Sequence, residues 1–150
     1  MKKIATQMIL TTIIILLSFN LSAAHCEIPC GIYDDEMRVN MIAEHITTIE
    51  KSMRLILKLE TEKTINYNQI IRWVMNKENH ANALQEIVTQ YFMTQRIKSD
   101  TKNYEKKLVL LHKMLIYAMK CKQSTDLSHI TTLRSLLEEF KTLYLAHGHK

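Results

Sequence analysis

A histidine and two cysteines stand close together in the sequence, at His25, Cys26 and Cys30. Imidazoles and thiolates are side chains that first-row transition metals bind readily. Pro29 and Gly31, on either side of Cys30, favour a bend that would bring both sulfurs to one ion. The stretch has too little apolar surface to pack as a core, so its residue types and spacing indicate a metal-binding segment.

The segment before His25 predicts that this histidine becomes the first residue of the mature protein. After a short basic start comes an apolar run over about residues 8–19, and Ser22 and Ala24 place small residues at the −3 and −1 positions of a cut after Ala24. This layout is typical of a secretory signal peptide. The run is shorter than the ~20 residues of a spanning helix, which argues against a permanent membrane anchor. We therefore expect residues 1–24 to be removed on export, to the periplasm or the medium.

A free amine at His25 would extend the set of metal donors. An α-amine titrates at about pH 8, so it can lose its proton near neutrality and bind a metal together with the His25 imidazole and the backbone nitrogen of Cys26. The thiolates of Cys26 and Cys30 complete the set. Nitrogen and sulfur donors in a planar or square-pyramidal arrangement favour Ni(II) or Cu(II), whereas zinc prefers a tetrahedral site.

The run from His25 to Tyr33 has the order His-Cys-x-x-Pro-Cys-Gly-x-Tyr. It resembles the nickel hook of the nickel-containing superoxide dismutases, which lies at the mature N-terminus directly before a four-helix bundle. The similarity extends to residues 72–81 and 91–98, so it covers most of the chain after the leader.

The resemblance implies an enzyme that converts superoxide to dioxygen and hydrogen peroxide by cycling one nickel ion per subunit between Ni(II) and Ni(III). It implies that Ni(II) is bound by the α-amine of His25, the amide nitrogen and thiolate of Cys26 and the thiolate of Cys30. The His25 imidazole would be the axial ligand of the Ni(III) state. Tyr33 would act as an anion gate that orients small anions and water without binding the metal. Family members are hexamers, which implies a homohexamer here.

The family holds its axial imidazole through an acidic residue on the first helix and a basic residue on the second. Glu36 and Glu44 are the candidates for the acid, and Arg72 and His80 are the candidates for the base. Because the partners of a ligating histidine orient its ring, we expect one such pair, and the motif does not decide which.

The remaining sequence predicts the element that must position the hook. The whole chain has only two glycines and one proline, and its apolar residues recur at steps of three and four, as in amphipathic helices. Asp34 or Asp35 is expected to cap the first helix. Short breaks near residues 61–65, 99 and 123 separate four such stretches, which predicts an all-α, antiparallel up-down four-helix bundle. The predicted inner positions are Val39, Ile42, Ile46, Ile49, Met53 and Ile56 in the first helix, Ile70, Val74, Ala81, Leu84, Val88 and Tyr91 in the second, Tyr104, Leu108, Leu111, Leu115 and Ala118 in the third, and Ile130, Leu133, Leu137, Phe140 and Tyr144 in the fourth.

The third stretch is apolar on more than one face, which favours subunit contacts in an oligomer. The residues outside its predicted inner face are Val109, Leu110, Met114, Ile116, Tyr117 and Met119.

The domain organisation follows from these segments. We expect a signal peptide over residues 1–24, a nickel hook over residues 25–33 and a helical bundle over residues 34–150, with residues 25–150 forming one domain around a single core. The net charge of +5 is a mild positive balance that could attract an anion such as superoxide. No basic run interleaved with aromatic residues indicates nucleic-acid binding.

Two other classes of function remain open at this point. One is an exported carrier that holds nickel or copper without turnover, and the other is a helical interaction protein in which Cys26 and Cys30 form a disulfide, as an oxidising compartment allows. Cys121 is expected to be a buried or unpaired thiol rather than a ligand, and His147 and His149 to belong to a frayed tail. Four histidines fall singly on different predicted helices without an i, i+4 zinc pair and are expected mostly at the surface or at interfaces. These are His45, His80, His112 and His129.

Overall fold

The structure, a computed structural model, describes residues 7–8 and 35–146. The rest of the predicted signal peptide, the predicted hook over residues 25–33 and the tail over residues 147–150 lie outside the described residues. Within the described part no strand forms, and none of its helices has the length and apolar character to cross a bilayer. The helical segments after residue 34 are α1 (Asp35–Glu60), α2 (Tyr67–Glu86), a π-helix (Ile87–Arg96) that continues α2, α3 (Tyr104–Gln123) and α4 (Ser128–Leu145).

The helices pack as a closed bundle. Each helix packs against the next one along the chain, and α1 also packs against α4. The connections are short, which makes consecutive helices antiparallel neighbours. With α2 and the π-helix forming the second rod, the prediction of an all-α four-helix bundle is confirmed.

The predicted inner faces of α1 and α4 are both correct. Every predicted position on these two helices is buried. The two sequences alternate apolar and polar residues clearly, so one stripe of each helix is apolar and the other faces carry charge. The most deeply buried of these residues are Ile42, Ile46, Ile49, Met53, Leu133 and Phe140.

The first half of α2 was predicted less well. Val74 was expected on the inner face, but 37% of it is exposed, and Ile70 is only half-buried. The buried residues of α2 are Lys77, Ala81 and Leu84, so this helix joins the core mainly through its second half. Apolar residues occupy several faces of its first half, and the sequence pattern there does not identify the inner one.

The inner face of α3 is rotated relative to the prediction. Leu108 and Leu115 are only partly buried, whereas Leu110 and Met114 belong to the buried core. Val109 is 50% exposed. An uninterrupted apolar run gives no polar contrast from which the buried face can be identified.

A buried lysine joins the second rod to the end of the third. Only 4% of Lys77 is exposed, and its ammonium group donates to the carbonyl oxygens of Lys122 at 2.5 Å and Ser124 at 3.4 Å. These carbonyls lie at the C-terminal end of α3, where backbone acceptors lack partners within the helix. Burial lowers the pKa of Lys77, against the opposing charge of Glu78.

The π-helix is the one departure from ordinary helical geometry among the described residues. Its side chains follow the same five-residue spacing as its backbone. Thr94 Oγ1 donates to the carbonyl of Thr89 at 2.8 Å, and Gln95 Nε2 donates to that of Gln90 at 3.1 Å. The sequence was predicted to continue as an α-helix here. π-Helices are rare and are frequent at functional sites, which directs attention to this segment.

Candidate metal centre

The predicted donors lie just before the described bundle. His25, Cys26, Cys30 and the predicted gate Tyr33 are outside the described residues, so their assignment rests on the sequence. Their chemistry suits nickel, because thiolates, an amine, an amide nitrogen and an imidazole supply the nitrogen and sulfur donors of a planar site. Within residues 35–146, no group of three or more histidine, cysteine, aspartate or glutamate residues is arranged to hold a metal ion. The described bundle therefore offers the ion no rival site of that kind.

The point where the hook joins the bundle is held by a cluster of polar side chains. Asp35 is the first residue of α1 and follows Tyr33 by two positions. Its carboxylate accepts a short hydrogen bond from the Tyr91 hydroxyl and another from the Tyr144 hydroxyl at 2.8 Å. Arg96 Nε lies 3.0 Å from the same carboxylate. We call these four residues, Asp35, Tyr91, Arg96 and Tyr144, the Asp35 clamp.

The charges within the Asp35 clamp are largely matched. The contact between Arg96 Nε and Asp35 is an ion pair without hydrogen-bond geometry, while Arg96 Nη2 donates to the Tyr91 hydroxyl at 2.9 Å. Burial raises the pKa of Tyr144, and the hydrogen bond to Asp35 raises it further. Burial and the same carboxylate also raise the pKa of Tyr91, against the effect of Arg96. Both phenols therefore remain protonated donors near neutral pH.

Asp34 or Asp35 was predicted to cap the first helix. Asp34 lies outside the described residues, and Asp35 is the first residue of α1. Its carboxylate contacts side chains of the π-helix and α4, which are distant in sequence. No local sequence signal identifies this role, since it depends on how three helices meet. Tyr144 was correctly predicted to be buried, and Tyr91 is buried as predicted, but their hydrogen bonds to Asp35 were not foreseen.

Two histidines that fall on different helices are in contact. His45 of α1 and His80 of α2 face each other, with 2.9 Å between their Nδ1 atoms, and their rings cross at 60°. One Nδ1 must carry a hydrogen and the other must accept it. Burial lowers the pKa of His45, and His80 lowers it further, against the charge of Glu44. The His45 ring therefore favours its neutral form, and its contact with His80 links α1 to α2.

The other residues considered as partners of the axial imidazole lie at the surface. Glu36, Glu44 and Arg72 are exposed. The carboxylate of Glu36 lies 4.0 Å from Lys141 Nζ. Arg72 lines a surface groove of α2 beside Trp73. Of the four candidates, His80 is the one that the structure places in a half-buried contact between helices.

Cys121 is separate from the predicted donor set. It is fully buried and is a free thiol, as predicted. Burial raises its pKa to about 11, although nearby Lys77 opposes the shift. A thiol that stays protonated at neutral pH is a poor metal ligand, so Cys121 belongs to the core.

The family model of nickel-containing superoxide dismutase matches residues 20–148. This range includes the run from His25 to Tyr33 and all the helices of the bundle. No curated protein and no solved structure gives a significant match to the chain. Because the matched range covers most of the sequence, the chain belongs to the family of nickel-containing superoxide dismutases, which are oxidoreductases that act on superoxide with a nickel cofactor.

Proposed function

We propose that the nickel ion of this superoxide dismutase is held by His25, Cys26 and Cys30. His25 contributes its α-amine and imidazole, Cys26 its amide nitrogen and thiolate, and Cys30 its thiolate. The observation that carries this assignment is the ordered run of donors itself, in a chain of a nickel-containing family. It is supported by the finding that residues 35–146 contain no group of three candidate ligands.

Bound nickel supplies one-electron redox chemistry, which anionic thiolate and amide donors make accessible by stabilising the higher oxidation state. The overall reaction takes two superoxide anions and two protons to one dioxygen and one hydrogen peroxide. Tyr33 is proposed to orient the anion and water beside the metal without binding it. Each subunit carries one ion.

The proposed site requires processing. Only removal of residues 1–24 leaves an α-amine on His25, and the small residues Ser22 and Ala24 suit a signal peptidase. We propose that the protein is exported, to the periplasm or the medium, and that the cut after Ala24 creates the metal site.

We propose that the functional unit is a homohexamer. Support comes from four exposed apolar residues on the first half of α2, which are between 37% and 68% exposed. Tyr67, Ile71, Val74 and Met75 follow the spacing of a single helical face. Isolated apolar residues are normal at a surface, but a stripe of four suits contact with another copy of the chain. Surplus apolar surface was also expected on α3, where Val109 is 50% and Met119 38% exposed, while Leu110 and Met114 belong to the core.

The decisive experiment adds one alanine before His25 in the mature protein. We expect wild-type protein with a processed N-terminus to contain one nickel per chain and to remove superoxide. The extended variant should lose nickel and activity while keeping its helical content, because its α-amine is displaced from the imidazole. The matched control adds one alanine after Lys150. N-terminal mass spectrometry, metal analysis and a superoxide assay supply the measurements.

The rival functions give different outcomes in the same experiment. A metal carrier would retain nickel and show no turnover. A protein with a disulfide between Cys26 and Cys30 would contain no nickel and would show no free thiols at these positions. An N-terminus other than His25 in the natural protein would refute the proposed donor set.

A further inference from the structure

The helix that carries the hook is anchored at its first residue. The predicted hook ends at Tyr33, and the Asp35 carboxylate is already bound by side chains of the π-helix and of α4. Cys30 precedes Asp35 by five residues, so the Cα atoms of these two residues lie within about 18 Å of each other even in a fully extended chain. The direction in which the chain leaves Asp35 therefore limits where the second sulfur can lie.

The anchor is rigid because its donors are fixed in the core. Tyr91 is 5% exposed and Tyr144 is 1% exposed. The Tyr144 ring stacks on Phe140 with 5.2 Å between centroids, and it meets Phe92 edge-on at 5.4 Å. Packed aromatic rings of this kind have little freedom to move, so their hydroxyls hold the carboxylate in one place.

The π-helix carries two of the three side chains of the clamp that contact the Asp35 carboxylate. Tyr91 and Arg96 are five residues apart, and in an α-helix such residues point about 140° away from each other. In a π-helix, hydrogen bonds run between residues five apart, so side chains at this spacing lie one above the other. The Arg96 guanidinium accordingly lies over the Tyr91 ring at 4.8 Å, and both side chains reach Asp35. The unusual helix thus serves this contact.

A second arginine lies beside the Asp35 clamp. Arg38 lies over the Tyr91 ring at 5.0 Å, so that ring contacts two guanidinium groups. The Nε atoms of Arg38 and Arg96 are buried and form no hydrogen bond within the described residues. Arg96 Nε still pairs with the charge of Asp35, so the two guanidinium groups on the Tyr91 ring add to what holds the clamp in place.

We propose that Asp35 is a positioning residue for the nickel site, and that the Asp35 clamp sets the direction in which the hook leaves the bundle. The inference rests on the proposed ligand set. The clamp does not touch the metal or superoxide in this proposal; it acts through the backbone between Asp35 and Cys30. Its effect should therefore be seen in how firmly and in what geometry the ion is held.

A second carboxylate of α1 provides a matched control. Glu50 also connects α1 to α4, through Arg134 Nη2 at 2.8 Å, and it binds Arg54 on its own helix. It lies fifteen residues after Asp35 in the sequence, which is about 22 Å further along α1. Removing its charge breaks the same kind of contact between the same two helices, so the variant Glu50→Gln reports what a purely structural loss does.

The experiment compares Asp35→Asn, Tyr144→Phe and Glu50→Gln with the wild type, each as nickel-loaded protein beginning at His25. The measurements are thermal stability, the rate of nickel release to a chelator, the electron paramagnetic resonance spectrum of the oxidised protein and the superoxide turnover. We expect Asp35→Asn to release nickel roughly 10 to 100 times faster, as is typical when a group that orients a ligand is lost. The spectrum of Asp35→Asn should differ from that of the wild type, and the spectrum of Tyr144→Phe should differ less. Glu50→Gln should match the wild type in release rate and spectrum.

One result would refute the positioning role of the clamp, and a different result would refute the proposed ligand set. The clamp would be only structural if Asp35→Asn and Tyr144→Phe released nickel within twofold of the wild-type rate and kept the wild-type spectrum. In that case their stability would be lowered as in Glu50→Gln. A wild-type protein that begins at His25 and still binds no nickel would refute the ligand set, and the positioning role with it.

Discussion

The segment from His25 to Tyr33 and the bundle over residues 35–146 differ in where potential metal ligands occur. The segment carries an imidazole and two thiols within a short stretch, whereas the described bundle has no group of three potential ligands and keeps Cys121 in its core with a raised pKa. The absence of such a group from the described bundle supports the proposal that the hook binds the metal. A substitution in the hook should therefore change the chemistry, and one in the bundle should change stability or position.

The sharpest test of this contrast makes the same substitution in both regions. Cys26→Ser should abolish nickel binding and dismutase activity, because a serine hydroxyl is a much poorer ligand for nickel than a thiolate. Its thermal midpoint without metal should match that of the wild type. Metal analysis, a superoxide assay and thermal denaturation measure these effects.

Cys121→Ser is the matched control for Cys26→Ser. It should keep nickel and activity but lower the free energy of unfolding by about 1–3 kcal/mol, because it places a hydroxyl in an apolar site. Loss of nickel from Cys121→Ser in the folded protein would contradict the division between the two regions.

A smaller effect is expected from the histidine pair inside the bundle. Since the folded state lowers the pKa of His45, the unfolded state binds more protons at mildly acidic pH, and stability rises with pH there. The stability that depends on a neutral His45 is fully present above the unfolded pKa of about 6.5. It is lost as the pH falls through and below that value. Urea denaturation between pH 5 and 8 should show this slope.

The variant His45→Gln should flatten that pH dependence. His112 lies on the exposed side of α3, and His112→Gln should leave the slope as it is in the wild type. An equal slope in wild type and His45→Gln would contradict the assignment of the pH dependence to the His45–His80 contact.

The smallest effect is expected at an exposed ion pair of the bundle. Lys106 and Glu139 lie 3.1 Å apart, with side chains that are 57% and 50% exposed. Exposed pairs contribute little, because water and salt screen them. Lys106→Ala should change the free energy of unfolding by less than about 0.5 kcal/mol and leave nickel content unchanged. A larger loss in urea denaturation would show that this surface contributes more than its exposure indicates.

The buried face of a helix was predicted correctly where its other faces are clearly polar. In α1 and α4 a single apolar stripe is flanked by charge, and all predicted inner positions are buried. In α3 the run from Leu108 to Leu111 is apolar throughout, and the predicted face was rotated. The prediction that Val74 of α2 is buried was wrong for a related reason, because apolar residues occupy several faces of that part of the helix. A periodic pattern identifies a buried face only where the other faces are polar.

The sequence alone predicted the helical bundle, which the structure confirms, and the metal donors, which stay a prediction, because both depend on residues close together in the chain. Helical periodicity and the run from His25 to Cys30 are local properties. The tertiary structure decided the contacts between distant residues. Tyr144 and Asp35 are 109 positions apart, and His45 and His80 are 35 apart. Such contacts depend on the register in which helices pack and, for Tyr91 and Arg96, on a π-helical geometry without a sequence signature. A side chain's partner is set by that packing, which no local pattern encodes.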